Sequence, residues 1–451
     1  MSPLSGASVP GRLPGGGGSP TLAVGDGARA QLGLHIHCAL AALFVALIPV
    51  VPAPRDIAFA ALTAFAVLRL PRTMPTYRAL VRQPIVWFLL AWPAWQAVSL
   101  LWSPDVAEGI RELKAMRAVL VPFILWPVCG RGRYLVAAFL VGVVLLNGAQ
   151  ALSGAGLLIT EHTELHPGRF GGLLNPIQAG ISCAIGLCWA IAAVLVTRGG
   201  KRAMASVALV SAAAGLFFSG SRGPWVGAVA GIAVLLAVLA VRHPALRRRV
   251  TTLAILAALA GIVALATPRF QDRYAESVTE SSDSWAHVDV TTSIGLRLWL
   301  WQAAWQEFRA RPIAGTGAGG FVSAVKETQA YRADMLVLPE KERIVIAHPH
   351  SVYLHMLAVH GIVGGVILAG LLILALRQAS RDREDPIYAA GALAALVAWT
   401  VGAGFDCYNR SGQTTYELAL LVTLTLAGRT HSATAEEPAP PGPASTSTEK
   451  S

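Results

Sequence analysis

From Leu32 to about residue 428, the chain alternates apolar runs of bilayer length with short polar breaks, and this constrains its fold more than anything else. A bilayer interior offers the backbone no hydrogen-bond partners, so each crossing segment must satisfy itself as a helix of about 20 residues. The runs fall near 33–51, 56–71, 85–102, 114–129, 134–153, 177–197, 203–219, 223–241, 250–267, 351–376, 386–404 and 412–428. Of 451 residues, 54% are hydrophobic and only 14% charged, more apolar surface than a soluble core can hide. The expected fold is an all-α integral membrane protein of about twelve transmembrane helices, with one large outward loop containing interfacial helices.

Basic residues in the breaks orient the spans. One alternating set holds Arg69, Arg72, Arg78 and Arg82, then Arg131 and Arg133, Arg198, Lys201 and Arg202, Arg242 with Arg247 to Arg249, and Arg377, Arg381 and Arg383. These breaks are expected to be cytoplasmic. The other set is acidic or mixed, with Asp56, then Asp105, Glu108 and Glu112, then Glu161 and Glu164, and the long segment 268–349. The expected organisation is a disordered cytoplasmic tail over 1–31, spans one to nine over 32–267, the outer loop over 268–349, spans ten to twelve over 350–430, and a second disordered cytoplasmic tail over 431–451. The net charge of +11 is concentrated at span ends, where it meets lipid headgroups and orients helices, so nucleic acid is not an expected partner. Five cysteines without a CxxC pair indicate neither disulfides nor a metal site.

The outward set holds the residues suited to chemistry. In AHPHSVYLHMLAVHG, Pro349 is expected to open a helix that places His350 where the chain enters the bilayer. An imidazole there can take a proton from a hydroxyl, and His348 beside it is a competing base. Arg222, flanked by Gly220, Ser221 and Gly223, sits in an outward turn that a ligand can approach closely; its guanidinium can fork onto phosphate oxygens, though arginines also snorkel to interfaces for purely topological reasons. Ile294, Leu298, Trp301, Trp305 and Phe308 share one face of a helix expected to lie on the membrane, with Trp299, Trp301 and Trp305 at headgroup level and Arg297 near its start. The glycine-rich run Gly315 to Gly320 reads as a flexible turn. Arg169 lies in GRFGGLLNPIQAG, and Asp406 is an outward carboxylate able to orient a histidine, although a solvated loop acid is the simpler reading. No His/Cys/Asp/Glu set has metal-ligand spacing, and the spans are nearly free of charge, Lys114 and Arg117 excepted.

These residues resemble the O-antigen ligase family, within the O-antigen ligase/polymerase superfamily of polytopic envelope glycosyltransferases. His350, Ser351, nine further residues and Gly361 are similar to the family's H-[NSQ]-x9-G signature; SRGPWVG over 221–227 and Arg297 with its Trp-rich helix are supporting matches. The resemblance implies a multi-pass bacterial inner-membrane enzyme with a periplasmic site and both termini cytoplasmic. It would transfer polysaccharide from undecaprenyl diphosphate to a sugar hydroxyl of the lipid A core, without metal, ATP or other cofactor. His350 would be the general base, Arg222, Arg297 and Arg169 the diphosphate ligands, and His348 and Asp406 accessory groups. A polymerase or a protein O-oligosaccharyltransferase would use similar residues. A lipid-linked glycan transporter is the alternative of another class.

Overall fold

The computed structural model describes residues 21–165, 168–268, 271, 275, 290–336, 346–381 and 386–427. The tail 431–451, residues 1–20 and parts of the segment 268–349 lie outside the described residues. Everything regular among the described residues is helical. The helices are α1 (Thr21–Leu47), α2 (Pro52–Val81), α3 (Pro84–Ser99), α4 (Val106–Ala115), α5 (Val121–Leu125), α6 (Gly132–Gly154), α7 (Glu161–Leu165), α8 (Pro176–Val196) and α9 (Gly199–Ser219). They continue with α10 (Arg222–Arg242), α11 (Arg247–Leu265), α12 (Ser293–Ala310), α13 (Phe321–Glu327), α14 (Gln329–Asp334), α15 (Val352–Arg381), α16 (Pro386–Gly402) and α17 (Gly412–Ala427).

Eight described helical stretches are long and apolar enough to cross a membrane, and Tyr388–Gly402 is a shorter apolar helix. Three expectations need correction. Helix α1 begins at Thr21, inside the expected tail 1–31. The expected span 114–129 is a chain of 3-10 turns around the short α5, since Pro122 and Pro127 interrupt an α-helical ladder. The spans also hold more charge than expected, because Arg55 and Glu417 are buried. Arg55 Nη1 donates to Gln413 at 2.9 Å, and Gln413 and Ser182 donate to Glu417, which gives each buried group a polar partner.

Helix α8 is enclosed on almost every side by α6, α9, α10 and α16. Helix α10 crosses α16 closely, Gly227 and Gly231 lying against the backbone carbonyls of Ala398 and Ala394, the small-residue contact that membrane helices use. Val67 and Leu68 on α2, Val207 and Val210 on α9, and Val229 on α10 point outward as exposed apolar side chains, as a lipid-facing belt requires.

A second, separate core gathers Trp299, Leu300, Ala303 and Ala304 of α12, Phe321 and Val325 of α13, and Ala358 and Val359 of α15. The face of α12 that packs inward is thus 295, 299, 300, 303, 304 and 307. Trp299 is buried, its Nε1 donating to Asp334 at 2.7 Å, rather than lying at headgroup level as expected. Trp305, 48% exposed, remains outward as expected, while Ile294, Leu298, Trp301 and Phe308 are half-buried.

Candidate functional site

The first stretch of α15 positions the site. Pro349 does not open the helix; α15 begins at Val352, because Ser351 is its cap, its carbonyl accepting from His355 N at 2.9 Å and its hydroxyl facing Leu354 N at 3.5 Å. His350 therefore sits in a bend before the helix, with φ +48°, the only non-glycine residue of positive φ among the described residues. Such a conformation costs on the order of 1–3 kcal/mol and persists only where surrounding contacts impose it. Here they do: Val352 N donates to Ala403 O at 2.9 Å, Cys407 Sγ donates to Ser351 O at 3.4 Å, and His350 N faces His348 Nδ1 at 3.3 Å.

At the other end of the signature, Gly361 breaks α15 with φ 63° and ψ −162°, a combination open in practice only to glycine. A Cβ there would meet Ile313 O at 2.2 Å. The break releases the helix's own bonds to the glycine-rich turn: Ile362 N donates to Pro312 O at 2.8 Å, while Thr316 N and Gly317 N donate to Ala358 O and Val359 O, each at 2.9 Å. Gly315, Gly317 and Gly319 all have positive φ, and residues 315–320 are all buried, so the turn expected to be flexible is pinned. The nine residues between Ser351 and Gly361 thus form a rigid helical rod of about 13 Å, at ~1.5 Å per residue.

His350 Nδ1 lies 3.0 Å from Asp406 Oδ1 in the loop between α16 and α17, with the two side chains 28% and 18% exposed. The carboxylate fixes the ring as the Nδ1–H tautomer and leaves Nε2 able to accept a proton. Burial by itself would raise Asp406, but the hydrogen bond with His350 and the charges of His348, His350 and Arg297 hold it at about 2. His348, with its ring 4.4 Å from that of His350, is driven down to about 4, chiefly by burial. Arg297 lies close enough to depress both His348 and Asp406.

Arg222 is the first residue of α10, and the neighbouring Gly223 packs against Phe405, next to Asp406. This places the SGSRG turn beside the Asp406 loop. Arg169 is committed to the same turn, with Nη2 donating to Ser221 Oγ at 2.8 Å and Nε to Ser219 O at 3.3 Å.

His348, His350 and Asp406 offer donor atoms all within 4.8 Å of one another, a set that could hold a metal ion. The expectation that no such set exists fails here, because Asp406 arrives from a loop far along the chain.

Sequence reasoning missed Arg410. Its guanidinium joins Glu108 and Glu112 of α4, Glu112 Oε2 accepts from Gly319 N at 3.1 Å, and His355 Nε2 lies 3.7 Å from Glu112 Oε1. The available signal was two carboxylates four residues apart on an amphipathic helix, with one arginine in another polar break.

These features define a class, a multi-pass helical membrane protein with a histidine–aspartate pair and arginines at one end of its bundle. Residues 205–369 match the family model described as O-antigen ligase. The match contains Arg222, Arg297, His348, His350 and Gly361, while Arg169 and Asp406 lie outside it. No curated protein matches the chain.

Proposed function

We propose that this protein is an O-antigen ligase acting on the periplasmic face of the bacterial inner membrane. It transfers polysaccharide en bloc from undecaprenyl diphosphate to a sugar hydroxyl of the lipid A core. The observation that carries this reading is the His350–Asp406 contact, which leaves an accepting ring nitrogen in a partly open position. The acceptor hydroxyl gives its proton to His350 Nε2 as its oxygen bonds to the donor's anomeric carbon with inversion. The bond from that carbon to the diphosphate oxygen breaks, and undecaprenyl diphosphate leaves with the electron pair.

Arg222 and Arg297 hold the diphosphate and stabilise the charge that grows on it; Arg169 supports them by fixing the turn that carries Arg222. The glycosyl–diphosphate linkage that breaks already supplies the driving force, so no ATP is needed. The reaction is read as metal-independent, with Arg222 and Arg297 taking the place of a divalent cation on the diphosphate. Twelve spans, cytoplasmic termini and a periplasmic loop over 268–349 belong to the same reading.

The test is reconstitution with defined undecaprenyl-diphosphate-linked glycan and three acceptors: lipid A core, a second lipid-linked repeat unit, and a protein bearing serine and threonine hydroxyls. Transfer to lipid A core, unchanged by a chelator, is expected. Exclusive transfer to the repeat unit would identify a polymerase, exclusive transfer to protein an O-oligosaccharyltransferase, and glycan crossing liposomes without a new glycosidic bond a transporter.

A further inference from the structure

Beside the pinned glycine-rich turn lies a cavity of about 350 Å³, lined by Trp102, Pro104, Arg311, Thr316, Ala324 and Glu327. Its volume falls at the low end of ligand cavities, roughly 300–1,000 Å³. Trp102 follows the outer end of α3 and stacks against Trp95 with ring centroids 5.7 Å apart. Arg311 and Glu327 are both exposed, and no ion pair among the described residues occupies either. Thr316, 1% exposed, is the informative one: its Oγ1 is buried and has no hydrogen-bond partner among the described residues. A buried hydroxyl left unpaired costs ~1–3 kcal/mol, so a side chain of this kind beside a cavity calls for a polar ligand.

We infer that this cavity is a carbohydrate subsite that receives one or two pyranose rings. The inference rests on the proposed glycan-transfer function and extends it to where a glycan is held. The chemistry discriminates between ligand classes. A phosphate would be met by several cations, whereas here one guanidinium stands among carboxylates, Glu327 on the cavity wall and Glu307 close by. An acyl chain would leave the arginine, the glutamate and the threonine hydroxyl all unpaired. A sugar suits the set, because each hydroxyl both donates and accepts, and the apolar face of the ring can cover the Trp102 indole.

The cavity is also tied to the reacting centre. Thr316 is held by its backbone to Ala358, on the rod that starts one residue after Ser351, so a sugar bound there is registered against His350. The glycan could belong to the donor or to the acceptor core, and the experiment separates the two.

The test titrates the purified full-length protein with two probes, lipid-free core oligosaccharide and lipid-free O-polysaccharide, each followed by ligand-observed NMR. KM is measured for the donor and the acceptor separately. One probe is expected to bind wild type; Trp102→Ala and Thr316→Val should each weaken it by roughly 5- to 10-fold, following the loss of about one stacking or hydrogen-bond contact. The KM of the substrate carrying that glycan should rise similarly with kcat little changed, Trp102→Phe should restore most of the affinity, and His350→Ala should bind as wild type. If Trp102→Ala and Thr316→Val bind both probes as wild type does, or if wild type binds neither at millimolar concentration, the subsite is refuted. Glycan binding that is lost in Trp102→Ala, in a wild type that performs no transfer, would keep the subsite and discard the ligase reading.

Discussion

Two histidines five residues apart near the start of α15 each face a carboxylate, and the two pairs behave differently. His350 and Asp406 are 3.0 Å apart and partly open. His355 and Glu112 are 3.7 Å apart, only 1% and 4% exposed, and Glu112 is already held by Arg410 and by Gly319 N. Burial and a competing arginine turn the second pair into a clamp: it joins α4, the glycine-rich turn and the Asp406 loop, with no room for a substrate. The first pair has Arg297 near its carboxylate, yet it stays partly open and its ring keeps a face toward solvent. The same residue types thus give chemistry or scaffolding according to exposure and to the partner that neutralises the acid.

The largest effect should come from the open pair. His350→Ala is expected to lower transfer by about 10²–10⁴-fold, the usual worth of general acid–base help, while the protein still purifies as a folded monodisperse species and still binds lipid-linked donor. Asp406→Asn keeps the base but removes the charge that orients it, and should cost about 10–100-fold, as loss of a group orienting a functional histidine typically does. Near wild-type turnover in purified His350→Ala would assign the open pair to scaffolding as well, and the contrast would disappear.

The closed pair should answer in stability. Arg410→Ala leaves Glu108 and Glu112 facing each other without their shared cation, a change of about 3–5 kcal/mol for a buried ion-pair network. The expected result is a sharp fall in folded yield and Tm, with the remaining folded fraction retaining donor binding. Arg410→Ala together with Glu108→Gln and Glu112→Gln should recover part of the lost stability, because no charge is then buried alone. Failure of the triple variant to recover any stability would mean that Arg410 acts elsewhere.

This contrast also explains what was legible in the sequence. His350, Arg222 and Arg297 could be proposed because each lies in a local pattern: a histidine at a span boundary, an arginine in a glycine turn, an arginine on a tryptophan-rich helix. The signature spacing was visible, but its cause was not. Only the structure relates Ser351 to helix capping and Gly361 to the break that receives the glycine-rich turn. Asp406 could be named only as a carboxylate able to orient some histidine, and Arg410 and Glu112 were hidden, for a common reason: their partners are far apart in sequence, and a single charged residue in a polar break looks like any solvated one. Hydrophobic periodicity located most helices but failed over 114–129, where Pro122 and Pro127 override an apolar run. It also gave the outward face of α12 without revealing that the opposite face builds a second core.

The smallest expected effect concerns His348, which belongs to neither pair as a hydrogen-bonding acid–base partner but touches the first. Its folded value of about 4 lies below the ordinary 6.5, so on acidification the unfolded chain takes up a proton before the folded one does. Stability should therefore decline as pH falls from about 6.5 to 4. Asp406 acts in a lower window: it is held at about 2 against an ordinary 3.8, so its contribution is present above 3.8 and is lost as pH falls through about 2. His348→Gln should remove the first decline and leave the second, with a Tm gain over wild type on the order of a few degrees near pH 4.5 and little difference at pH 8. Thermal unfolding across that range, with transfer measured at pH 7.5, checks both parts. Equal slopes in variant and wild type would show that His348 is protonated in the fold, and a large loss of transfer at pH 7.5 would make it, rather than His350, the ring that takes the proton.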